Sequence, residues 1–306
     1  MASTLKLVVP ADLDAERLDK SLAVLLDVSR AVSRSMIDAG VTVDGSTARP
    51  NTRVRQGQTI ESPPPPVPEQ LAPEDVEFSV AYEDDHLVVV NKPPGLVVHP
   101  GAGQRTGTLA AGLLQRYPEV RGVGTPGRWG LIHRLDKDTS GALLVARDQE
   151  TFDSLTAMLR SREIKREYLA LVAGVVSPPT GTIDAAVGRD LSSPTRRTVT
   201  PEGKPARTHY SVVRNYPDHD VALVDVVLET GRTHQIRVHF LAIGHPLVGD
   251  PTYNTTPSGL RSPRVFLHAG RLTFLHPVTR EGTVVEAPLP PDLADVLGKL
   301  DQPDNG

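Results

Sequence analysis

A carboxylate and a guanidinium stand beside a tight polar turn in the stretch LIHRLDKDTSG, residues 131–141. An apolar approach leads into Arg134 and Asp136, and an apolar strand follows the turn. Turns of this kind hold side chains in a fixed direction while exposing them to a ligand. The pattern predicts Asp136 as a nucleophile and Arg134 as a group that faces the substrate. The alternative is a surface ion pair, which is common in proteins and contributes little energy.

A second polar cluster occupies the stretch ETGRTHQIRVH, residues 229–239. Gly231 permits a sharp turn between a predicted strand and a predicted helix, so Arg232 lies at a corner that suits a functional side chain. His234 and His239 lack the i, i+4 spacing of a zinc-binding helix, and no carboxylate completes a ligand set. We therefore expect no metal site, and we expect both histidines to form hydrogen bonds.

Basic residues dominate the segment from 160 to 207, which holds nine Lys or Arg residues against five Asp or Glu residues. Contacts to RNA phosphates require such side chains, although most charged segments are ordinary solvated surfaces. Tyr168 lies within this segment, and aromatic residues make up only 4% of the chain. A tyrosine beside basic residues is suited to stacking on a base. The alternative is a core tyrosine.

Two further motifs resemble known sites without matching them. The glycine-rich stretch 99–107 lacks the spacing of a nucleotide phosphate loop. Asp136, Asp138 and Ser140 resemble the D-x-D-x-[TV] motif of magnesium-dependent haloacid-dehalogenase-type phosphatases, but Ser replaces Thr or Val at the last position. Such a phosphatase is an alternative enzyme class for this chain.

The elements that position these motifs are strands and helices without regular alternation, which predicts an α+β fold rather than a parallel sheet. The predicted helices are Thr108–Arg116 and Thr233–Ile243, the latter with Thr233 as its cap. Four strands are predicted from apolar, β-branched stretches: Leu87–Asn91, Leu143–Ala146, Tyr168–Ala173 and Val221–Leu228.

A proline-rich segment at 62–73 separates a small module at 12–61 from a larger domain at 74–298. Consecutive prolines favour an extended spacer because they cannot continue a helix or a central strand. The module is predicted to contain two helices, the second capped by Ser29, followed by short strands that include one around Val54–Ile60.

The composition of the 306-residue chain excludes several classes of protein. Its formal net charge is −4, so a nucleic-acid partner is not evident from charge alone. It contains no cysteine, which excludes disulfides, thiolate metal sites and cysteine nucleophiles. No apolar stretch approaches the length of a membrane span or a signal peptide. We expect a cytoplasmic monomer that does not associate with membranes.

The stretch HRLDKDTSG at 133–141 resembles the H-R-L-D-x-x-T-S-G motif of the RluA-type pseudouridine synthases. The resemblance continues, in the order of that family, through three further stretches: NKPPGLVVHPG at 91–101, REYLALV at 166–172 and GRTHQIRVH at 231–239. The N-terminal stretches RLDKSLA and SRAVSRSMIDAGVTVDG resemble the small RNA-binding domain named after ribosomal protein S-four. The HPGAG stretch and the fused N-terminal module are most similar to the D branch, which modifies large-subunit ribosomal RNA.

The resemblance implies a pseudouridine synthase fold with a mixed, mainly antiparallel sheet, joined to a small α/β RNA-binding module. It implies isomerisation of uridine in structured RNA, with ribosomal RNA as the partner and without any cofactor. Asp136 matches the catalytic aspartate of the family, and Arg134 matches the arginine that enters the RNA stack. Tyr168 matches the tyrosine that stacks on the flipped base, Arg232 the basic residue that pairs with the aspartate, and Ile236 the apolar floor of the pocket.

Two parts of the chain depart from the family motifs, namely the basic stretch near 189–207 and the tail after 284. The RNA target is therefore not determined by the resemblance. A non-catalytic RNA-binding protein that acts through its N-terminal module remains an alternative outside the enzymes.

Overall fold

A computed structural model describes residues 4–28, 30–65, 71–101, 103–190, 192–193, 196–254 and 260–302. The chain divides into two compact units, Met1–Gln70 and Leu71–Gly306, and this division falls within the predicted proline-rich segment. The predicted cap Ser29 lies outside the described residues. Within the described ranges, no helix combines the length and the apolar character needed to cross a bilayer.

The N-terminal unit packs two helices with a small antiparallel sheet. Its helices are α1 (Leu18–Leu25) and α2 (Arg30–Asp38). Its strands form the sheet order β1-β4-β2-β3, and they are β1 (Leu5–Val8), β2 (Thr42–Val43), β3 (Ser46–Thr47) and β4 (Thr59–Ser62). The core includes Leu18, Leu22 and Ile60, all fully buried.

Two sequence-based boundaries in this unit differ from the structure. The unit also includes β1, which lies before the predicted start at residue 12 and pairs with β4. The last strand begins at Thr59 rather than near Val54, because the Val54 amide bonds to the Glu16 carbonyl just before α1 and not to a strand of the sheet.

The larger unit is organised around a nine-stranded sheet with the order β5-β6-β7-β14-β8-β13-β12-β9, in which β15 also pairs with β14. Strands β10 and β11 form a separate antiparallel pair. The strands of this unit are β5 (Ser79–Glu83), β6 (Leu87–Lys92), β7 (Ser140–Ala146), β8 (Lys165–Ala173), β9 (Thr180–Asp184), β10 (Val187–Arg189), β11 (Arg197–Val199), β12 (Arg207–Tyr216), β13 (Val221–Leu228), β14 (Leu267–Leu275) and β15 (Gly282–Glu286). Its helices are α3 (Leu109–Arg116), α4 (Gln149–Arg160), α5 (Gln235–Ala242) and α6 (Pro291–Leu300).

The predicted α+β class with a mixed, mainly antiparallel sheet is confirmed. Among the named strand pairs only β7 and β14 run parallel. The strand β13 has the predicted bounds, and its alternating valine-rich sequence is buried on both faces at most positions, as β-branched residues in a central strand prefer. The tail after residue 284 continues β15 and adds α6, whose Leu293, Val296 and Leu300 are buried.

The parallel pairing of β7 with β14 determines where the Asp136 turn rejoins the sheet. Gly141 pairs with Ala269 and has a φ of +115°, and a Cβ atom there would lie 2.2 Å from the Ala269 carbonyl oxygen. Only glycine combines that backbone conformation with so close an approach. Gly141 therefore anchors the end of the turn against the central strands.

Candidate active site

The five residues predicted from the sequence line one cavity of about 50 Å³. Asp136 and Arg134 come from the loop before β7, and Tyr168 comes from β8. Arg232 and Ile236 come from the turn after β13 and from α5. Residues that lie up to about a hundred positions apart in the sequence therefore meet at the ends of neighbouring strands and one helix.

Backbone hydrogen bonds fix the loop that carries Asp136. The Thr139 amide donates to the Asp136 carbonyl oxygen at 3.2 Å, which closes the turn. The Ile132 amide donates to the Leu144 carbonyl at 3.2 Å, so the approach to the turn runs beside β7. Because both ends of the loop are tied to the sheet, the direction of the Asp136 side chain is set by the fold.

Two basic side chains, Lys92 and Arg264, donate hydrogen bonds to backbone carbonyl oxygens of the same loop. Lys92 is fully buried and donates to the Lys137 carbonyl oxygen at 2.9 Å, as well as to the carbonyls of Pro93 and Leu96. Three acceptors match the three donors of a lysine ammonium. Burial lowers the pKa of Lys92 to about 7. Arg264 Nη1 donates to the Asp138 carbonyl at 2.9 Å.

The guanidinium that reaches Asp136 belongs to Arg237, which corrects the predicted pairing with Arg232. Arg237 Nη1 lies 3.4 Å from Asp136 Oδ2. Arg232 lines the cavity, but its Nε donates to the Pro205 carbonyl at 3.1 Å and its side chain is exposed. The physical reason is the start of α5, which places the first helical turn, rather than the preceding corner, beside the carboxylate.

Helix α5 begins two residues later than predicted. His234, not Thr233, precedes it and has a left-handed backbone with a φ of 59°, which is uncommon for a residue other than glycine. In place of a Thr233 cap, Gln235 Oε1 accepts from the Arg232 amide at 3.0 Å. The main chain therefore turns sharply at His234 and presents the start of α5 to the cavity.

Arg237 is held in place by groups other than Asp136. Its Nε and Nη2 donate to the two carboxylate oxygens of the fully buried Asp250 at 2.6 and 2.7 Å. Its guanidinium lies over the Tyr253 ring, 4.9 Å from the centroid. Burial opposes the charge, but Asp250 and then Asp136 raise the pKa of Arg237 above its ordinary value. Arg237 is thus a fixed positive charge beside Asp136.

The two histidines of this stretch form hydrogen-bonding contacts. His234 Nδ1 lies 2.8 Å from the Tyr253 hydroxyl, and its Nε2 lies 3.9 Å from Asp136 Oδ2. His239 is buried, and its ring nitrogens lie 2.9 Å from Thr208 Oγ1 and from the Ala185 carbonyl. Burial lowers the pKa of His234, so the charged partner of Asp136 is Arg237.

Asp136 keeps one carboxylate oxygen free of protein partners. Its contacts with Arg237 and His234 both involve Oδ2, and within the described part of the chain no hydrogen bond reaches Oδ1. The side chain is 18% exposed. Tyr168 and Ile236 are only 6% and 4% exposed and form apolar walls. Burial raises the pKa of Tyr168, so its hydroxyl stays neutral near pH 7. The site therefore presents a partly desolvated carboxylate oxygen next to an aromatic ring.

Comparison with known proteins assigns this site to a family. A family model described as RNA pseudouridylate synthase matches residues 86–242, which include the Asp136 loop and the start of α5. The chain belongs to the RNA pseudouridylate synthase family. It is therefore an RNA pseudouridine synthase, an enzyme that isomerises uridine, and the predicted family is confirmed. Membership decides against the phosphatase and the non-catalytic RNA-binding alternatives.

The similarity to individual pseudouridine synthases extends over nearly the whole chain. An uncharacterised RNA pseudouridine synthase of Chloroflexus aurantiacus is 45% identical over 96% of this chain and 92% of its own length. The ribosomal large subunit pseudouridine synthase D of Nitrosomonas europaea is 42% identical over 96% of this chain and 87% of its own length. Among solved structures, human RNA Pseudouridylate Synthase Domain Containing 1 has a TM-score of 0.56 at 30% identity, covering 76% of this chain and 98% of its own.

The sequence motifs did not single out Arg237, Asp250 or Lys92. Arg237 was within reach of sequence reasoning, because it lies three residues after His234 and thus on the same side of a helix. Asp250 follows 13 residues later in a loop, and only the fold brings it to Arg237. Lys92 belongs to a quoted motif, but its burial under the Asp136 loop depends on the pairing of β6 with β7.

Proposed function

We propose that this enzyme converts specific uridines of structured large-subunit ribosomal RNA to pseudouridine, with Asp136 as the reacting carboxylate. The observation that carries this proposal is the free Oδ1 of Asp136 in a cavity walled by Tyr168 and Ile236. The target class comes from relatives that are named large subunit pseudouridine synthase D.

The chemistry needs an ionised carboxylate and no outside group. Asp136 either attacks the anomeric carbon as the bond to the base nitrogen breaks, or removes a proton from the neighbouring sugar carbon to give a glycal. In the first route the turned uracil displaces Asp136 from the anomeric carbon through its C5 atom, and in the second Asp136 returns the proton to the sugar carbon as C5 adds to the glycal. In both routes C5 loses its proton and the base nitrogen gains one. Arg237 favours the ionised form of Asp136, since a cation within about 4 Å stabilises a carboxylate.

The uridine must leave its helix before a side chain can reach the sugar. Extruding a base costs a few kcal/mol of stacking and pairing. Arg134 is exposed at the mouth of the cavity, and its planar guanidinium is suited to filling the gap in the stack. Tyr168 forms the wall on which the extruded base restacks. Arg232 and Ile236 contact the same nucleotide from the α5 side.

The N-terminal unit supplies a separate RNA-binding surface in this proposal. Arg17, Arg30 and Arg34 are all about half exposed, with side-chain exposures of 41%, 53% and 52%. They share the buried Asp19, which fixes them in one patch while leaving their outer faces in water. Such a patch is suited to phosphate contacts, as the resemblance to the S-four domain implies.

The experiment that tests the function is direct product mapping. Large-subunit ribosomal RNA transcribed in vitro is incubated with the purified full chain, and pseudouridines are mapped at nucleotide resolution. We expect modification of a small number of uridines. Ribosomal RNA from cells that lack the protein should be missing the same modifications. If the RNA incubated in vitro gained no pseudouridine and ribosomal RNA from cells lacking the protein kept all of its modifications, the proposed target would be contradicted, while modification confined to transfer RNA would revise the substrate.

A further inference from the structure

A second, larger cavity of about 490 Å³ adjoins the Asp136 cavity and shares Arg134, Arg166, Gly231 and Arg232 with it. Arginine dominates the lining of this larger cavity, in which Glu229 is the one acidic residue. Its arginines are Arg128, Arg134, Arg160, Arg162, Arg166 and Arg232. The space next to the reacting carboxylate is therefore strongly positive.

Protein carboxylates neutralise little of this charge. Glu229 contacts Arg162, and it is also shared with Arg207 and His209. Across the described ranges of the chain, no ion pair reaches Arg128, Arg134 or Arg160. Arg134 lowers the pKa of Arg128 further, in addition to the effect of burial, because the two like charges lie close together.

Arg166 is the clearest uncompensated charge in the cavity. It is only 5% exposed, and its one hydrogen bond runs from Nη2 to the Leu228 carbonyl at 3.3 Å. No described residue accepts a bond from its Nε, and no described carboxylate pairs with it. Burial lowers its pKa. A buried guanidinium without an anion is costly, so its retention points to an anionic ligand.

A second buried donor lies beside Arg166. His133 Nε2 accepts from the Leu144 amide at 3.2 Å, and burial lowers the pKa of His133 to about 3. The neutral ring therefore carries its proton on the buried Nδ1, for which no described residue offers an acceptor in good hydrogen-bond geometry, although the neighbouring Arg134 backbone acts to raise the pKa of the ring. His133 and Arg166 both line the larger cavity.

The fold places Arg166 next to Tyr168, at the edge of the Asp136 cavity. Arg166 and Tyr168 are two residues apart on β8 and so lie on the same face of the strand. Both line the Asp136 cavity. Gly231 makes room for the guanidinium, since a Cβ atom there would lie 2.8 Å from Arg166 Nη1. A side chain at position 231 would therefore displace the tip of the Arg166 guanidinium from this position.

We propose that the larger cavity binds a phosphodiester group of the RNA strand beside the extruded uridine, with Arg166 as its central ligand. Arginine suits this role, because its planar fork donates two parallel hydrogen bonds to a phosphate. Arg134 and the Nδ1–H of His133 complete the donor set. The inference rests on the proposed function, since it names the part of the RNA that this site holds.

The melting temperature of an Arg166 variant distinguishes a ligand-binding role of this residue from a structural one. If Arg166 serves the RNA, Arg166→Met removes an unpaired buried charge, and the melting temperature should stay the same or rise. If Arg166 mainly braces the turn at Gly231, the same change should lower the melting temperature. Arg166→Lys, which keeps the charge without the planar fork, should bind RNA with intermediate affinity.

The decisive experiment compares RNA binding by the wild-type chain and by Arg166→Gln. The probe is an RNA fragment containing the mapped uridine, with one neutral methylphosphonate at a position flanking it. We expect Arg166→Gln to weaken binding of the unmodified RNA about tenfold. For this variant, the slope of log affinity against log salt concentration should be smaller in magnitude by about 0.7, the value for one single-strand phosphate contact.

The methylphosphonate identifies the contact itself. At one flanking position it should weaken wild-type binding by the same factor, whereas Arg166→Gln should bind both RNAs equally. The matched control is Arg271→Gln, an exposed arginine that pairs with Glu286 away from the cavities, and it should behave as the wild type does. Equal sensitivity of the wild type and Arg166→Gln at every flanking phosphate would overturn the proposal.

Two further outcomes are distinguishable. If the wild type forms no pseudouridine in ribosomal RNA, the proposed function fails independently of the cavity. If inorganic phosphate displaces the RNA from the wild type at millimolar concentration but not from Arg166→Gln, the cavity binds phosphate chemistry as proposed. If phosphate displaces RNA equally from both proteins, the cavity is not the competing site, and the proposal fails.

Discussion

Two aspartates show how differently the two units of this protein use the same side chain. Asp19 in the N-terminal unit has a side chain that is 0% exposed, and it accepts from Arg17, Arg30 and Arg34 at 2.9 to 3.0 Å. Asp136 in the larger unit is 18% exposed and has a single arginine, at 3.4 Å. The first carboxylate is saturated with donors, and the second is not.

The difference separates a structural acid from the acid that is proposed to react. The guanidinium of Arg17, followed by those of Arg30 and Arg34, holds the pKa of Asp19 far below its usual range and uses both of its oxygens. Arg237 directs its Nε and Nη2 to Asp250 and only its Nη1 to Oδ2 of Asp136. Oδ1 of Asp136 therefore stays free. A nucleophile or base needs such a free lone pair.

Among substitutions that leave Asp136 in place, the largest effect is expected where the arginine beside it is altered. Arg237→Lys keeps a positive charge next to Asp250. It loses the planar guanidinium that binds Asp250 with two nitrogens and so fixes the distance between the charge and Asp136. We expect kcat to fall about 100-fold, because small misplacements of reacting groups have effects of this size, while the Kd for RNA changes little. Steady-state kinetics with RNA-binding assays would check this.

Arg232→Ala should instead weaken RNA binding more than turnover. A larger loss of turnover than of RNA binding would restore Arg232 as the partner of Asp136.

Breaking the saturated site should affect stability instead of chemistry. Asp19→Asn removes the charge that holds three arginines together, and we expect the free energy of unfolding of the N-terminal unit to fall by about 2 kcal/mol. Because the folded-state pKa of Asp19 is depressed, its contribution is present above the unfolded pKa near 4 and is lost as the pH falls below it. Urea denaturation of wild type and variant at pH 7 and pH 3 would measure both, and a gap that does not narrow at pH 3 would contradict this account.

A smaller effect is expected at the mouth of the reactive site. Arg134→Ala should lower kcat/KM on a folded RNA about tenfold, because the gap left by the extruded base is no longer filled. On a short unpaired RNA with the same uridine the variant should match the wild type. Single-turnover rates on the two RNAs provide the measurement, and full activity of Arg134→Ala on the folded RNA would disprove the role.

The last effect concerns the pH dependence of stability at the loop that holds Asp136. Burial lowers the pKa of Lys92 to about 7 from its ordinary value of 10.5, so the folded protein binds fewer protons than the unfolded chain between these two values. The stability of the wild type relative to Lys92→Met should therefore increase as the pH rises from 7 towards 10. Urea denaturation at pH 6.5 and pH 9 tests the sign. If the free energies of unfolding of the two proteins changed equally between pH 6.5 and pH 9, Lys92 would not titrate in this range and the account would be contradicted.

Sequence reasoning singled out the Asp136 loop because its polar side chains are concentrated in one short stretch, 133–141, that ends at a glycine the fold requires. It placed β13 correctly because a long β-branched run has few alternatives to a buried strand. It assigned the wrong partner to Asp136 because the choice between Arg232 and Arg237 depends on a left-handed residue at His234. The sheet order, with β14 between β7 and β8, is a long-range outcome that no local pattern encodes.

The central claim is that the free oxygen of Asp136 reacts with a uridine held in the neighbouring cavity. The most direct measurement is single-turnover pseudouridine formation by Asp136→Asn, combined with the Kd of that variant for the same ribosomal RNA fragment. We expect product formation to fall at least about 1,000-fold, while the Kd remains within about twofold of the wild-type value because the RNA-binding arginines are unchanged. Turnover by Asp136→Asn close to that of the wild type would contradict the account.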